Sequence, residues 1–115
     1  MKDLLYSILN TICPNKVYLQ GTLNPEEPYP DSFITYWVNT TEDNEHFDND
    51  VVAVEWNFSV MFYTNNPALI KTKTDEIRTA LKAAGFIPQG KGNDLVSDKP
   101  THDGWAMEFI YKEIL

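Results

Sequence analysis

At 115 residues, 43% hydrophobic and 13% aromatic, the chain has the size and apolar content of one globular domain that needs neither disulfide nor metal to fold. A net charge of −8, with 17 acidic residues against 9 basic and Arg78 as the single arginine, argues against wrapping DNA by phosphate neutralisation. It suits a basic protein partner, or a surface past which DNA slides without sticking. No apolar run approaches the ~20 residues that cross a bilayer, so no membrane partner is expected. Met1-Lys2-Asp3 leads into a short amphipathic stretch without a cleavable signal, which predicts synthesis in the cytosol.

Leu4, Leu5, Ile8, Leu9 and Ile12 recur at helical spacing and predict a helix over Lys2–Ile12, stopped by Pro14 and Asn15. Cys13, the only cysteine, lies at its end; it reads as a small buried apolar residue, with no local support for a nucleophile. Val17–Leu19 is a short apolar piece compatible with a strand. Three prolines within residues 24–31 predict an extended loop.

Residues 33–39, with Phe33, Ile34, Tyr36, Trp37 and Val38, have strand composition. Residues 40–50 carry Glu42, Asp43, Glu45, Asp48 and Asp50, interrupted by Phe47, and read as a long exposed hairpin loop. Over residues 51–63 the side chains alternate strictly: Val52, Val54, Trp56, Phe58, Val60 and Phe62 against Ala53, Glu55, Asn57, Ser59 and Met61. Period-two alternation over so many residues predicts one unusually long strand with an apolar face on the core.

Asn66 and Pro67 then open a helix over residues 67–84, the asparagine as cap and the proline at the first helical position. Ile70, Thr74, Ile77, Leu81 and Ala84 form its inner stripe, and Gly85 with Phe86 closes it. Residues 86–88 and 94–96 flank a turn at 89–93, and residues 105–111 alternate as a last half-buried strand. The expected architecture is α+β: residues 1–115 as a single domain, an antiparallel β-sheet with two helices packed on one face. Trp56, Phe58, Val60, Ile77, Leu81 and Phe109 are the expected core.

Chemistry-bearing patterns are weak. Gly90-Lys91-Gly92 lacks the spacing and the strand–helix context of a phosphate loop, and reads as a mobile turn. The acidic residues 42–50 lack the glycine and terminal glutamate of a calcium loop. His102 precedes Asp103, but neighbours on an extended chain point opposite ways, and no positioned nucleophile accompanies them. The strand aromatics lack the basic companions of a base-stacking platform. No catalytic, cofactor-binding or metal-ligating residue is therefore predicted.

The order of elements nevertheless has a likeness. A short helix leads through a proline-rich approach to Phe33-Ile34-Thr35-Tyr36-Trp37, then an acidic segment, then a long strand ending Phe62-Tyr63-Thr64. A helix follows Asn66 and ends Ala84-Gly85-Phe86, and the chain closes on Thr101-His102-Asp103-Gly104-Trp105-Ala106-Met107-Glu108-Phe109-Ile110-Tyr111. Over nearly its whole length this resembles the tail-completion, or tail terminator, proteins of long-tailed bacteriophages and prophages, and their neck-protein relatives.

The resemblance implies a non-catalytic virion subunit made in the host bacterial cytoplasm. Such a subunit forms a ring with itself, usually a hexamer, on the head-proximal end of the tail tube. The implied partners are the tail tube protein and a head-closure or neck protein, with DNA passing through the lumen without specific binding. The alternatives are another head-closure or minor tail component, or a small enzyme of similar fold.

A ring needs two different surfaces on each subunit. The acidic hairpin with Glu42, Asp43, Glu45, Phe47, Asp48 and Asp50 is one candidate. The helix carrying Lys71, Lys73, Arg78 and Lys82 is its basic counterpart. A merely solvated loop is the other reading of residues 40–50.

Overall fold

The computed structural model describes residues 2–14, 16–19, 31–47, 50–95 and 102–114. Helix α1 (Lys2–Ile12) has the predicted limits and buries Leu5, Leu9 and Ile12. Strand β1 (Val17–Leu19) follows. The proline-rich residues 24–30 lie outside the described residues.

Two long strands dominate. β2 (Ser32–Phe47) has 16 residues and β3 (Asp50–Thr64) has 15, against a usual ~5–6. They pair antiparallel from Ser32↔Thr64 to Phe47↔Asp50. After helix α2 (Ala68–Ala83) come β4 (Ile87–Pro88), β5 (Asn93–Leu95) and β6 (Asp103–Ile114). β6 runs antiparallel along β3 from Thr64↔Asp103 to Ala53↔Ile114, and β4 and β5 both pair with its other edge. The sheet order is β1-β2-β3-β6-β4. It is antiparallel except for β1, which pairs parallel to β2 through Val17↔Ile34 and Leu19↔Tyr36, so the sheet is mixed.

Ile34, Phe58, Val60, Phe62, Met107 and Phe109 share one face of the sheet. They form the core together with Leu5, Leu9 and Ile12 of α1 and Ile77 and Leu81 of α2. Phe58, Val60, Ile77, Leu81 and Phe109 are fully buried, as expected. Trp56 is a correction: it is only partly buried, because it lies where the core gives out. Its ring stacks on Phe58 with centroids 5.9 Å apart, and its indole N–H donates to Glu113 Oε1 at 3.3 Å.

Both ends of α2 are set by sequence. Pro67 already has helical angles, and Asn66 Oδ1 accepts the Ala68 N–H at 3.1 Å, which makes Asn66 the cap. At the other end Gly85 has φ 97°. The N–H groups of Gly85 and Phe86 donate to the carbonyls of Lys82 and Leu81, and the Phe86 ring packs against Phe58 and Tyr111.

The main departure from expectation is at residues 40–50. Thr40 to Phe47 is not loop but strand, paired with residues 50–57. Only residues 48 and 49 separate the two strands, and they lie outside the described residues. Aspartate, glutamate and asparagine are poor strand formers, but their whole propensity range is only ~1 kcal/mol. A continuous ladder to the valine-rich start of β3 outweighs it.

The strand is irregular there, with register shifts at Val38/Thr40, Asp43/Glu45 and Glu45/His46. Asn39 sits at the first, and its amide donates to Asn57 Oδ1 and Ser59 Oγ, both at 2.8 Å. Bulges of this kind twist an edge strand, and that discourages edge-to-edge aggregation. β6 ends opposite Ala53, so the far part of β2 and β3 continues as a two-stranded arm. The molecule measures 54 × 27 × 23 Å.

Candidate functional site

The two-stranded arm begins opposite the end of β6 at Ala53, and a cleft lies by Trp105, which pairs with Phe62 toward the other end of β3. The cleft, of about 330 Å³, is lined by Ile70, Lys71, Thr74, Asp75, Arg78, Lys91 and Trp105. About two and a half turns of α2 give one wall, because residues 70, 71, 74, 75 and 78 fall on one side of a helix at spacings of three and four. Trp105 gives the floor at the sheet end where β6 pairs with Phe62. The segment between β4 and β5 gives the rim, pinned by the Trp105 indole N–H donating to the Lys91 carbonyl at 2.9 Å.

That rim depends on glycine. Gly90 and Gly92, on either side of Lys91, have φ of 79° and 96°. A Cβ on Gly92 would overlap the Ala106 carbonyl oxygen and the Trp105 indole nitrogen. The Gly-Lys-Gly sequence that looked like a mobile turn is therefore a close approach of backbone to Trp105, with Lys91 as its exposed tip.

The cleft is cationic on a chain of net charge −8: Lys71, Arg78 and Lys91 face a single carboxylate, Asp75. Lys73, on the same helix, pairs instead with Glu76 at 3.5 Å. Arg78 is half-buried, and its Nε is fully buried without a hydrogen-bond partner. A buried, unpaired guanidinium nitrogen is costly, and an incoming carboxylate or phosphate would relieve it. Thr74 turns its hydroxyl back to the Ile70 carbonyl within the helix, so that hydroxyl proton is already engaged.

The predicted interface residues thus divide. Lys71 and Arg78 line the cleft; Lys73 is taken up by Glu76; Lys82 is exposed in the last turn of α2, beyond the cleft. Glu42, Asp43 and Glu45 lie on β2 opposite Glu55, Val54 and Ala53, where β6 still flanks β3; Phe47 and Asp50 belong to the two-stranded arm, and Asp48 lies outside the described residues. Lys91 and Trp105 were missed. Neither shares a sequence pattern with α2, and only the β4–β5 turn folding back on β6 brings them together.

His102 packs beside the Phe33 ring, with centroids 5.9 Å apart. Among the described residues no three His, Cys, Asp or Glu side chains gather as a metal site, and no helix is long and apolar enough to cross a membrane. Cys13 is buried, and burial chiefly pushes its thiol up from 9.0; Lys73 pulls the other way and Glu76 adds to the rise. The thiol is thus protonated and inert at neutral pH. A disulfide reagent should titrate no thiol in the native protein and one in urea. Because the folded thiol titrates above the unfolded one, its contribution to stability is complete below the unfolded value and is lost as pH rises through the folded one.

Compared with known proteins, the chain matches no family model, and no curated protein matches it in sequence.

Proposed function

We propose that this chain is a tail-completion subunit of a long-tailed bacteriophage or prophage. It would form a ring at the head-proximal end of the tail tube, in the virion, and join tail to head. The observation that carries this reading is two unlike surfaces on one subunit: a paired-strand arm that continues past the end of β6, and a helix-walled cleft by Trp105, which pairs with Phe62 nine positions away from Ala53 along β3. Two unlike surfaces on one subunit are what a closed head-to-tail ring requires. The net charge of −8 suits a lumen through which DNA passes without binding. The reading is non-catalytic, because the cleft gathers cations around a threonine whose hydroxyl is engaged, not a nucleophile beside a base. A head-closure or minor tail subunit needs the same two surfaces and differs in which partner it meets.

Electron microscopy of the purified protein, alone and mixed with tail tube protein from the same genetic module, tests this. Rings with an open lumen that sit on tube ends and halt elongation are expected. Unchanged tube lengths and no bound rings would overturn the tail-completion reading. Rings that bind head-closure protein but not tubes would move it to the neck.

A further inference from the structure

We infer that the cleft between α2 and the β4–β5 turn binds a small organic phosphate. Its phosphomonoester is held by Lys71, Arg78 and Lys91, and its organic part lies on Ile70 and Trp105. The first support is charge. Three cations and one carboxylate, Asp75, line the space, which leaves two positive charges unmatched. Among the described residues none of these three cations makes an ion pair. A phosphomonoester carries about −1.5 to −2 at neutral pH, whereas a single carboxylate would leave the balance open. The cluster is also local. The chain as a whole has net charge −8, so its long-range field repels an anion and only the cleft itself can hold one.

The second support is how the cations are placed. Lys71 and Arg78 stand about 10 Å apart along one helix wall, and Lys91 comes from the rim. A phosphate group has three terminal oxygens and takes donors from both sides at once, whereas a carboxylate presents two oxygens in one plane. Arg78 is half-buried, and its Nε is enclosed without a partner. Part of the guanidinium's hydration is therefore gone before any ligand arrives. Its attraction for an oxyanion at the rest of the fork is stronger than that of an exposed arginine.

The third support is the apolar half. The Trp105 indole N–H is already given to the Lys91 carbonyl, so the ring is held in place and shows the cleft no free donor. With Ile70 it offers apolar surface beside the cations. A volume of about 330 Å³ is at the small end of ligand pockets, so the occupant is one small molecule or the end of a chain, not a length of duplex. A free monoester and the phosphorylated end of a nucleic-acid strand share this chemistry, and the test separates them. The site does not depend on the tail-completion reading. Binding is measured on the protein without tubes, and tube capping without ligand, so either can fail alone.

Nuclear magnetic resonance titration, with the Trp105 indole N–H resonance as reporter, is the test. Inorganic phosphate should move that resonance saturably. Adenosine monophosphate should bind at least about tenfold more tightly than adenosine. Arg78→Gln should weaken adenosine monophosphate binding by about tenfold or more, and Arg78→Lys by less, since lysine keeps the charge but not the fork. Lys91→Ala should weaken it by about three- to tenfold. Lys91 is an exposed turn residue whose carbonyl, not its side chain, holds Trp105, so this variant keeps the test sound if the Arg78 variants perturb folding. Lys16 is exposed beside β1, at the other edge of the sheet, and Lys16→Ala should leave binding unchanged.

A terminally phosphorylated oligonucleotide that binds as adenosine monophosphate does would assign the phosphate to a strand end. One that does not bind would assign it to a free monoester. No saturable shift with phosphate or adenosine monophosphate would overturn the site. So would adenosine binding as tightly as its monophosphate, succinate as tightly as phosphate, or an unphosphorylated oligonucleotide as tightly as the phosphorylated one. Equal losses in Lys91→Ala and Lys16→Ala would overturn it too, because the attraction would then belong to the whole surface and not to the cleft.

Discussion

Replacing Phe58 by alanine should destabilise the fold by about 3–5 kcal/mol, the usual cost of emptying a fully buried aromatic site. Phe58 has no exposed surface, lies on the central strand, pairs with Val38 on one side and Phe109 on the other, and meets the rings of Trp56 and Phe86. Because it touches both the sheet and the cap of α2, the cavity has rigid walls that cannot collapse into it. A domain of this size has only ~5–15 kcal/mol of net stability, so the loss is a large share of the total. Urea denaturation followed by far-ultraviolet circular dichroism measures it. A loss below about 1.5 kcal/mol would mean that the site repacks and that the β3 centre is not the keystone described. Phe58→Leu should cost less, since it leaves a smaller void.

Gly92→Ala should cost about 2–4 kcal/mol, from a left-handed backbone that L-residues resist plus overlap with backbone and indole atoms. Gly90→Ala is the internal control. Its φ is also positive, at 79°, but nothing lies within 4 Å of an added Cβ, so about 1–2 kcal/mol of backbone strain is all it should cost. The two substitutions should also differ in where they act. Gly92→Ala must push the rim away from Trp105, break the indole bond to the Lys91 carbonyl and shift the Trp105 indole N–H resonance. Gly90→Ala should leave that resonance in place. Equal costs for the two variants, or an unmoved Trp105 resonance in Gly92→Ala, would contradict the packing of the rim.

The elements whose formation depends on near neighbours were legible from residue order alone. α1 begins and ends as its apolar spacing and Pro14 dictate, and α2 is bracketed by Asn66-Pro67 and Gly85-Phe86 through hydrogen bonds that span five residues or fewer. The alternation around Phe58 announced a strand with a buried face, because period two is a local property of extended chain. Residues 40–47 went the other way. Their acidic composition argued for loop, and what makes them strand is a partner, β3, whose ladder supplies what propensity withholds. The parallel placement of β1 against β2 likewise follows from tertiary pairing and not from anything in Val17–Leu19.

The candidate site shows the same division more sharply. Lys71 and Arg78 were visible as a basic helix face, since seven residues make two turns. Lys91 and Trp105 join them across 13 and 27 residues of chain from Arg78, through a turn whose glycines looked merely loose in sequence. Charge and periodicity therefore determined which segments carry acid, base and core. Only the packing of β6 between β3 and the β4–β5 turn decided that the basic residues surround a cleft. The same packing set that cleft by the Phe62–Trp105 pair, because long-range proximity depends on which strands pair and in what register.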